Sequence, residues 1–209
     1  MMTLCWSPNG GSGTPGVTAA MALATTEPTL LIDLDGDQPL VLGVREPDRP
    51  GLHDWLRSEA DPARLSSLEL TIDQRVSLVP AGSPGPIDPD RWSTLADHLR
   101  HERRRVIIDA GSGQPAAALF EAADQAWLVT RPCYLALMAA TGQARRPTGV
   151  VLVDEPGRSL RRADIETSLG APIVATILCD PAIARAADAG LLVSRLPGGC
   201  TRRLREAGA

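Results

Sequence analysis

Ser7-Pro8-Asn9-Gly10-Gly11-Ser12-Gly13-Thr14-Pro15-Gly16-Val17-Thr18 leaves a short apolar segment, Thr3 to Ser7, and runs straight into an Ala-rich stretch, Val17 to Ala24. A glycine-rich turn between strand and helix gathers backbone N–H groups and a helix N-terminus around an anion. Gly11 to Thr18 keeps the spacing Gly-x4-Gly-Lys-Ser/Thr of a phosphate-cradling loop, with Val17 in the lysine position. Such a loop has separable parts: backbone donors attract phosphate, the threonine hydroxyl meets Mg²⁺, and lysine neutralises the outer phosphates. Here the first two parts remain and the third is gone. Pro15 removes one N–H from the cradle, and Thr14 tolerates positive φ less well than glycine. The competing reading of the stretch is a Gly/Pro-rich turn with no ligand.

The missing lysine is a property of the whole chain. All 21 basic side chains among the 209 residues are arginine, which excludes Schiff-base catalysis and lysine general bases. A high-GC coding bias accounts for the count without any functional reason. The hydrophobic fraction of 44% and charged fraction of 22% are those of an ordinary folded protein, and one domain over residues 1–209 is expected. No apolar run reaches the ~18–20 residues of a membrane span. Aromatic residues make up only 3% of the chain, leaving little for base stacking. Cys5, Cys133, Cys179 and Cys200 form no CxxC pair, which argues against zinc and for reduced, buried thiols. Met1 to Pro8 has no signal-peptide character, so a cytoplasmic location is expected. His53, His98 and His101 are scattered and read as neither catalytic nor metal-binding. Trp55 and Trp92 fall in helical stretches and read as core or partner contacts, whereas Trp6, beside the loop, is a candidate pocket wall.

Short Val/Ile/Leu-rich runs alternate with Ala-rich helical stretches, the pattern of an α/β protein with a mostly parallel sheet flanked by helices. Strands are expected at Thr3 to Ser7, Thr29 to Leu34, Val76 to Pro80, Arg105 to Asp109, Ala126 to Thr130, Gly149 to Val153 and Pro172 to Leu178. Helices are expected at Val17 to Ala24, Gly51 to Ser58, Pro89 to His101, Gln114 to Ala122, Cys133 to Ala144, Leu160 to Leu169 and Pro181 to Ala187. In such sheets ligands bind outside the carboxyl ends of the strands, so the loops after the strands are the places to search. The second loop, Leu31-Ile32-Asp33-Leu34-Asp35-Gly36-Asp37-Gln38, sets three acids at alternate positions. Their mutual repulsion suits a cation or a donor network, the alternative being a solvated acidic loop. The third, Val106-Ile107-Ile108-Asp109-Ala110-Gly111-Ser112-Gly113, is an apolar strand ending in an acid that can hold Mg²⁺ through water. In the order glycine-rich loop, DxD, apolar run ending in Asp, the three together are more specific than any one.

In these residues the chain resembles the ParA/MinD family of deviant P-loop ATPases, including the ParA-like proteins of Flp-type (Tad) pilus loci. Ser12 to Thr18 stands against the family's KGGxGKT, Asp33 to Gln38 against DxDPQ, and Asp109 against hhhDxP. Further agreement lies at Leu42 to Val44, Gly51 to Leu56, Leu128 to Pro132 and Asp180 to Gly190. The resemblance implies a P-loop NTPase-like three-layer sandwich, with ATP and Mg²⁺ as cofactors of the family. It implies phosphate contact from Gly11, Ser12, Gly13, Thr14, Pro15, Gly16, Val17 and Thr18. It also implies Mg²⁺ at Thr18, Asp33, Asp35 and Asp109, a water-associated carboxylate at Asp35, and base reading at Asp154, where the family carries Asn. The family spends two lysines on phosphate, one of them reaching the partner's nucleotide in an ATP-closed dimer. Ser12 and Val17 occupy those two positions.

The leading expectation is therefore a positioning or scaffold protein with a degenerate phosphate loop, weak or absent ATP binding and impaired hydrolysis, a protein partner, and a link to pilus or secretion assembly. The second is an active, dimeric ATPase in which arginine replaces lysine. Arg131 is the candidate guanidinium, set against the favoured reading that it pairs with a surface acid. The third is a DNA-binding surface. Residues 1–99 hold 6 Arg against 14 acids and residues 100–209 hold 15 against 11, with clusters at Arg100, Arg103, Arg104 and Arg105 and at Arg202, Arg203 and Arg205. Helix-dipole pairing is the simpler account of the first cluster.

Overall fold

Apolar alternation in the strands sorts the core into two halves, one on each face of a single sheet. The computed structural model describes residues 1–45, 48–178, 185, 189 and 192–195. Its strands are β1 (Met2–Ser7), β2 (Thr29–Asp33), β3 (Leu70–Thr71), β4 (Val76–Val79), β5 (Arg105–Ser112), β6 (Gln125–Thr130), β7 (Gly149–Asp154) and β8 (Ile173–Leu178). They lie in the order β3-β4-β2-β5-β1-β6-β7-β8. The pairings are parallel except that of β3, the short antiparallel edge strand beside β4.

Along β1, Leu4 and Trp6 join one core cluster and Cys5 the other; Leu30 and Ile32 against Leu31, and Val106 and Ile108 against Ile107, repeat the split. Strands covered on both faces are apolar on both faces, as parallel sheets require. The first face is covered by α3 (Leu52–Leu56), α4 (Pro89–Arg100), α5 (Ala117–Ala122), α6 (Tyr134–Thr141) and α7 (Arg162–Leu169). The second is covered by α1 (Thr14–Ala24), by Leu42 of α2 (Gln38–Leu42), and by Leu192 of the short helix Leu192–Arg195. The result is the expected three-layer sandwich. At roughly 1.5–3 kcal/mol for each fully buried large aliphatic side chain, these two faces are its main source of stability.

The expected strands form within a residue or two of their expected ends, except that β5 runs on to Ser112 rather than stopping at Asp109. The helices are more often displaced. α1 starts at Thr14, three residues before the apolar pattern, because Gly13 takes a left-handed conformation (φ 85°) at its N-cap and Pro15 needs no intrahelical N–H partner in the first turn. α3, α5, α6 and α7 are shorter than expected. Four elements were not expected: α2, β3, a 3₁₀ turn at Pro62–Leu68 and the short helix Leu192–Arg195. The expected helix Pro181 to Ala187, the matching stretch Asp180 to Gly190, and Arg202, Arg203 and Arg205 lie outside the described residues, apart from the isolated positions 185 and 189.

From β1 the chain steps to one side for β2 and β4, then crosses back through β5 to β6, β7 and β8 on the other. That reversal puts a topological switch point at the carboxyl ends of β1, β5 and β6, where open α/β sheets bind ligands.

Candidate phosphate-loop site

The loop after β1 enters α1 with Gly11 and Gly13 both at φ 85°, a region nearly closed to residues with a Cβ. A Cβ built at Gly10, Gly11, Gly13 or Gly16 meets nothing within 4 Å, so these glycines border open space rather than packed chain. The first-turn N–H groups of α1 have no intrahelical partner, and no side chain caps them. The Thr14 hydroxyl is buried with no hydrogen-bond partner. This half of the site has the shape and the donors for a phosphoryl group.

The position that lysine holds in the spacing motif is built differently. Val17 is 4% exposed and belongs to the second-face core with Cys5, Met21, Leu31 and Val129. Ser12, at the other lysine position, is 3% exposed. Arg131 is taken up by Glu155 at 2.7 Å, and Glu155 also pairs with Arg158. The favoured reading of Arg131, an ion pair with a surface acid, holds. Asp154, at the end of β7, is half-buried.

Beside the loop, β2 ends at Asp33, which lies in register opposite Asp109 of β5. Both acids are fully buried. Asp33 folds its own loop, accepting N–H bonds from Asp35 (3.1 Å), Gly36 (2.8 Å) and Gln38 (3.3 Å). Burial nevertheless pushes its carboxyl up to about 6. Asp109 accepts from the Gly111 N–H at 3.0 Å and lies 3.1 Å from the Thr18 hydroxyl. Burial raises its carboxyl to about 7, against the opposing pull of its hydrogen-bond donors.

Between β1 and β5 the register advances from Cys5 opposite Asp109 to Ser7 opposite Ser112, so β5 carries an extra residue. Gly111 (φ 62°) absorbs it, as in a β-bulge that re-aims a strand end at a site. The Asp35 side chain lies against Gly111 so closely that a Cβ there would sit 2.2 Å from Asp35 Cγ. Asp35 is exposed, and its carboxyl is raised by burial and then by neighbouring Asp37.

The residue that sequence reasoning missed is Gln38. Its Nε2 donates to Asp109 Oδ2 (2.5 Å), Thr18 Oγ1 (2.8 Å) and the Pro15 carbonyl (3.0 Å), and the side chain is fully buried. The one signal was its place at the end of the DxD stretch.

The structure thus brings Thr18, Asp33 and Asp109 together beside the glycine loop, and holds Asp35 at the rim over Gly111. Among the described residues no group of three or more His, Cys, Asp or Glu converges as metal ligands. A divalent cation between Thr18 and Asp109 would need the place that the Gln38 nitrogen takes, and an N–H donor cannot ligate it. The phosphate half fits its ligand; the cation half, in this arrangement, does not. Trp6 does not wall the site: it is buried, donates to Gln143 Oε1 at 2.7 Å and packs edge-on against Phe120.

No family model and no curated protein sequence matches the chain. Solved structures do. MinD of Pyrococcus horikoshii OT3, solved with Mg-ADP, superposes with a TM-score of 0.77 at 23% identity over 99% of this chain and 93% of that one. The chain has the ParA/MinD P-loop ATPase fold. A ParA-family ATPase of Chlorobium tepidum TLS gives 0.77 at 20% identity, covering 97% and 96%. The MinD of Aquifex aeolicus solved in complex with MinC gives 0.79 at 17%, covering 99% and 93%.

Proposed function

We propose that this chain is a ParA/MinD-fold positioning or scaffold protein whose phosphate loop has kept its shape and lost its charge. It binds nucleotide weakly or not at all and hydrolyses it slowly if at all. It acts through a protein partner, as the Aquifex MinD solved with MinC is bound to one, in the assembly of pilus or secretion machinery. The observation that carries the reading is Val17: the lysine position is filled by a side chain belonging to the hydrophobic core. A charge-assisted contact to phosphate contributes roughly 1.5–3 kcal/mol, whereas a transition-state cation is worth about 10³–10⁵ in rate. Losing two such cations therefore costs hydrolysis far more than binding.

If phosphate is held, the Gly11 to Thr18 backbone and the start of α1 hold it, with Ser12, Thr14 and Thr18 as hydroxyl donors. Titration with a fluorescent ATP analogue and Mg²⁺ tests the reading. Micromolar or weaker affinity without turnover is expected, and sub-micromolar affinity with turnover like that of orthodox relatives overturns it.

A second reading, a working ATPase, is favoured by one observation, the retained contact between Thr18 and Asp109. Under it, Asp35→Ala and Asp109→Ala both abolish phosphate release that the parent shows. The DNA-binding reading loses support from Arg104, whose guanidinium is committed to Glu69 and Glu102 at 2.8 Å each.

A further inference from the structure

The buried polar group at the centre of the site is one that neither the spacing of the motifs nor the fold assigns. Gln38 starts α2 and turns its side chain inward across the top of the sheet, so that one amide nitrogen meets an oxygen from α1's first turn, an oxygen of Thr18 and an oxygen of Asp109. Three oxygen atoms converging on one positively polarised centre is the donor set a hard divalent cation takes. Here the centre is an –NH₂ group with two protons to share among the three. The Asp109 carboxylate is completed by protein donors alone: Oδ2 takes the Gln38 amide, and Oδ1 takes the Gly111 N–H at 3.0 Å. The same amide leaves its own oxygen, Gln38 Oε1, buried without a partner. That costs desolvation energy, so the nitrogen contacts must compensate for it.

We propose that the Gln38 amide is a built-in substitute for the divalent cation, which satisfies Thr18 and Asp109 without metal and holds α2 against the phosphate loop. A metal ion gains access only by displacing the amide nitrogen, and the nucleotide-free chain therefore has low divalent affinity. The inference rests on reading this as a phosphate-loop site. It is tested without nucleotide, so that its failure and that of the proposed function can be told apart.

The experiment is Mn²⁺ binding followed by electron paramagnetic resonance at pH 8, on the full chain, on Gln38→Ala and on Gln38→Ala/Asp109→Asn. Releasing the amide's hydrogen bonds to a charged acceptor corresponds to about 10- to 100-fold in affinity, so Gln38→Ala is expected to bind Mn²⁺ tighter than the parent by that factor. The double variant is expected to lose the gain. A parent that binds Mn²⁺ as tightly as Gln38→Ala overturns the proposal, as does a gain that survives in the double variant. Two further measurements do not depend on how well Gln38→Ala folds. The parent's thermal midpoint should be unmoved by millimolar Mg²⁺, and an upward shift overturns the proposal. Gln38→Glu puts a third carboxylate beside Asp33 and Asp109, and Mg²⁺ should raise its midpoint; no rise overturns the proposal.

Discussion

At position 17 the chain trades a charge for packing. Val17 sits against Met21 and Leu31 at 4% exposure, so a lysine there must either leave its ammonium in the core or thread it out toward the glycine loop. Burying an unpaired ammonium is costly, and the lost valine contacts add to that. Val17→Lys is expected to lower unfolding stability by about 1–3 kcal/mol and to raise ATP affinity about tenfold, the value of one charge-assisted phosphate contact. Denaturant melts and the fluorescent-ATP titration read the two effects separately. A variant with the parent's stability and the parent's affinity contradicts both. The substitution itself was legible in the sequence, because Gly11, Gly16 and Thr18 keep their spacing around it. The role of Gln38 was not, because its meaning lies in three contacts to segments 20 to 71 residues distant in the chain. Asp33 is intermediate: its acidity was visible, but its use as a cap for the N–H groups of its own loop depends on a turn that three alternating acids do not reveal.

Between elements, the decisive feature is that Asp33, at the end of β2, lies in register opposite Asp109 of β5, which sets two buried carboxyls side by side. Asp33 is raised to about 6 and Asp109 to about 7, against about 3.9 in an unfolded chain. Across this window the folded state therefore holds protons that the unfolded state has released. Stability from these groups is greatest at the acid end, near pH 4, and is lost as pH rises through the folded values, by up to ~1.4 kcal/mol per pH unit for each group fully engaged. Glu102, held down to about 2 chiefly by its hydrogen bond with Arg104, works in the opposite sense but at lower pH. Asp109→Asn keeps an acceptor for Gln38 and removes one titration. Its stability between pH 6 and 8 should thus be flatter than the parent's and higher at pH 8, by about 1 kcal/mol or more. Urea melts across that range check it, and a slope equal to the parent's shows that Asp109 does not titrate there. The strands on which this depends were readable because parallel, doubly covered strands are apolar on both faces. β3 and α2 were not, since elements of two and five residues are shorter than the repeat that would announce them.

For the molecule as a whole, the question is what ATP could do to two copies of it. The resemblance implies a dimer closed through nucleotide by a lysine in the Ser12 position, while a lysine at the Val17 position holds the outer phosphates. A nucleotide between two copies of this chain would meet a serine and a core valine there, and Arg131, the candidate replacement cation, is already paired with Glu155 at 2.7 Å. With a net charge of −4, two copies also repel one another weakly at long range, and an added polyphosphate increases that repulsion unless cations offset it. ATP with Mg²⁺ should then leave the monomer–dimer distribution unchanged, because a ligand shifts an equilibrium only by its differential affinity for the two states. Sedimentation velocity with and without Mg-ATP measures this directly. A distribution that moves to dimer with ATP, and returns when nucleotide is removed, requires a cation from elsewhere in the chain to replace both lysines. The same experiment on Val17→Lys separates two roles for the loop. If restored affinity brings ATP-dependent dimers, this chain differs from an ATP-driven switch by one side chain. If it does not, position 12 carries the coupling between copies, and Ser12→Lys is the change that should restore it.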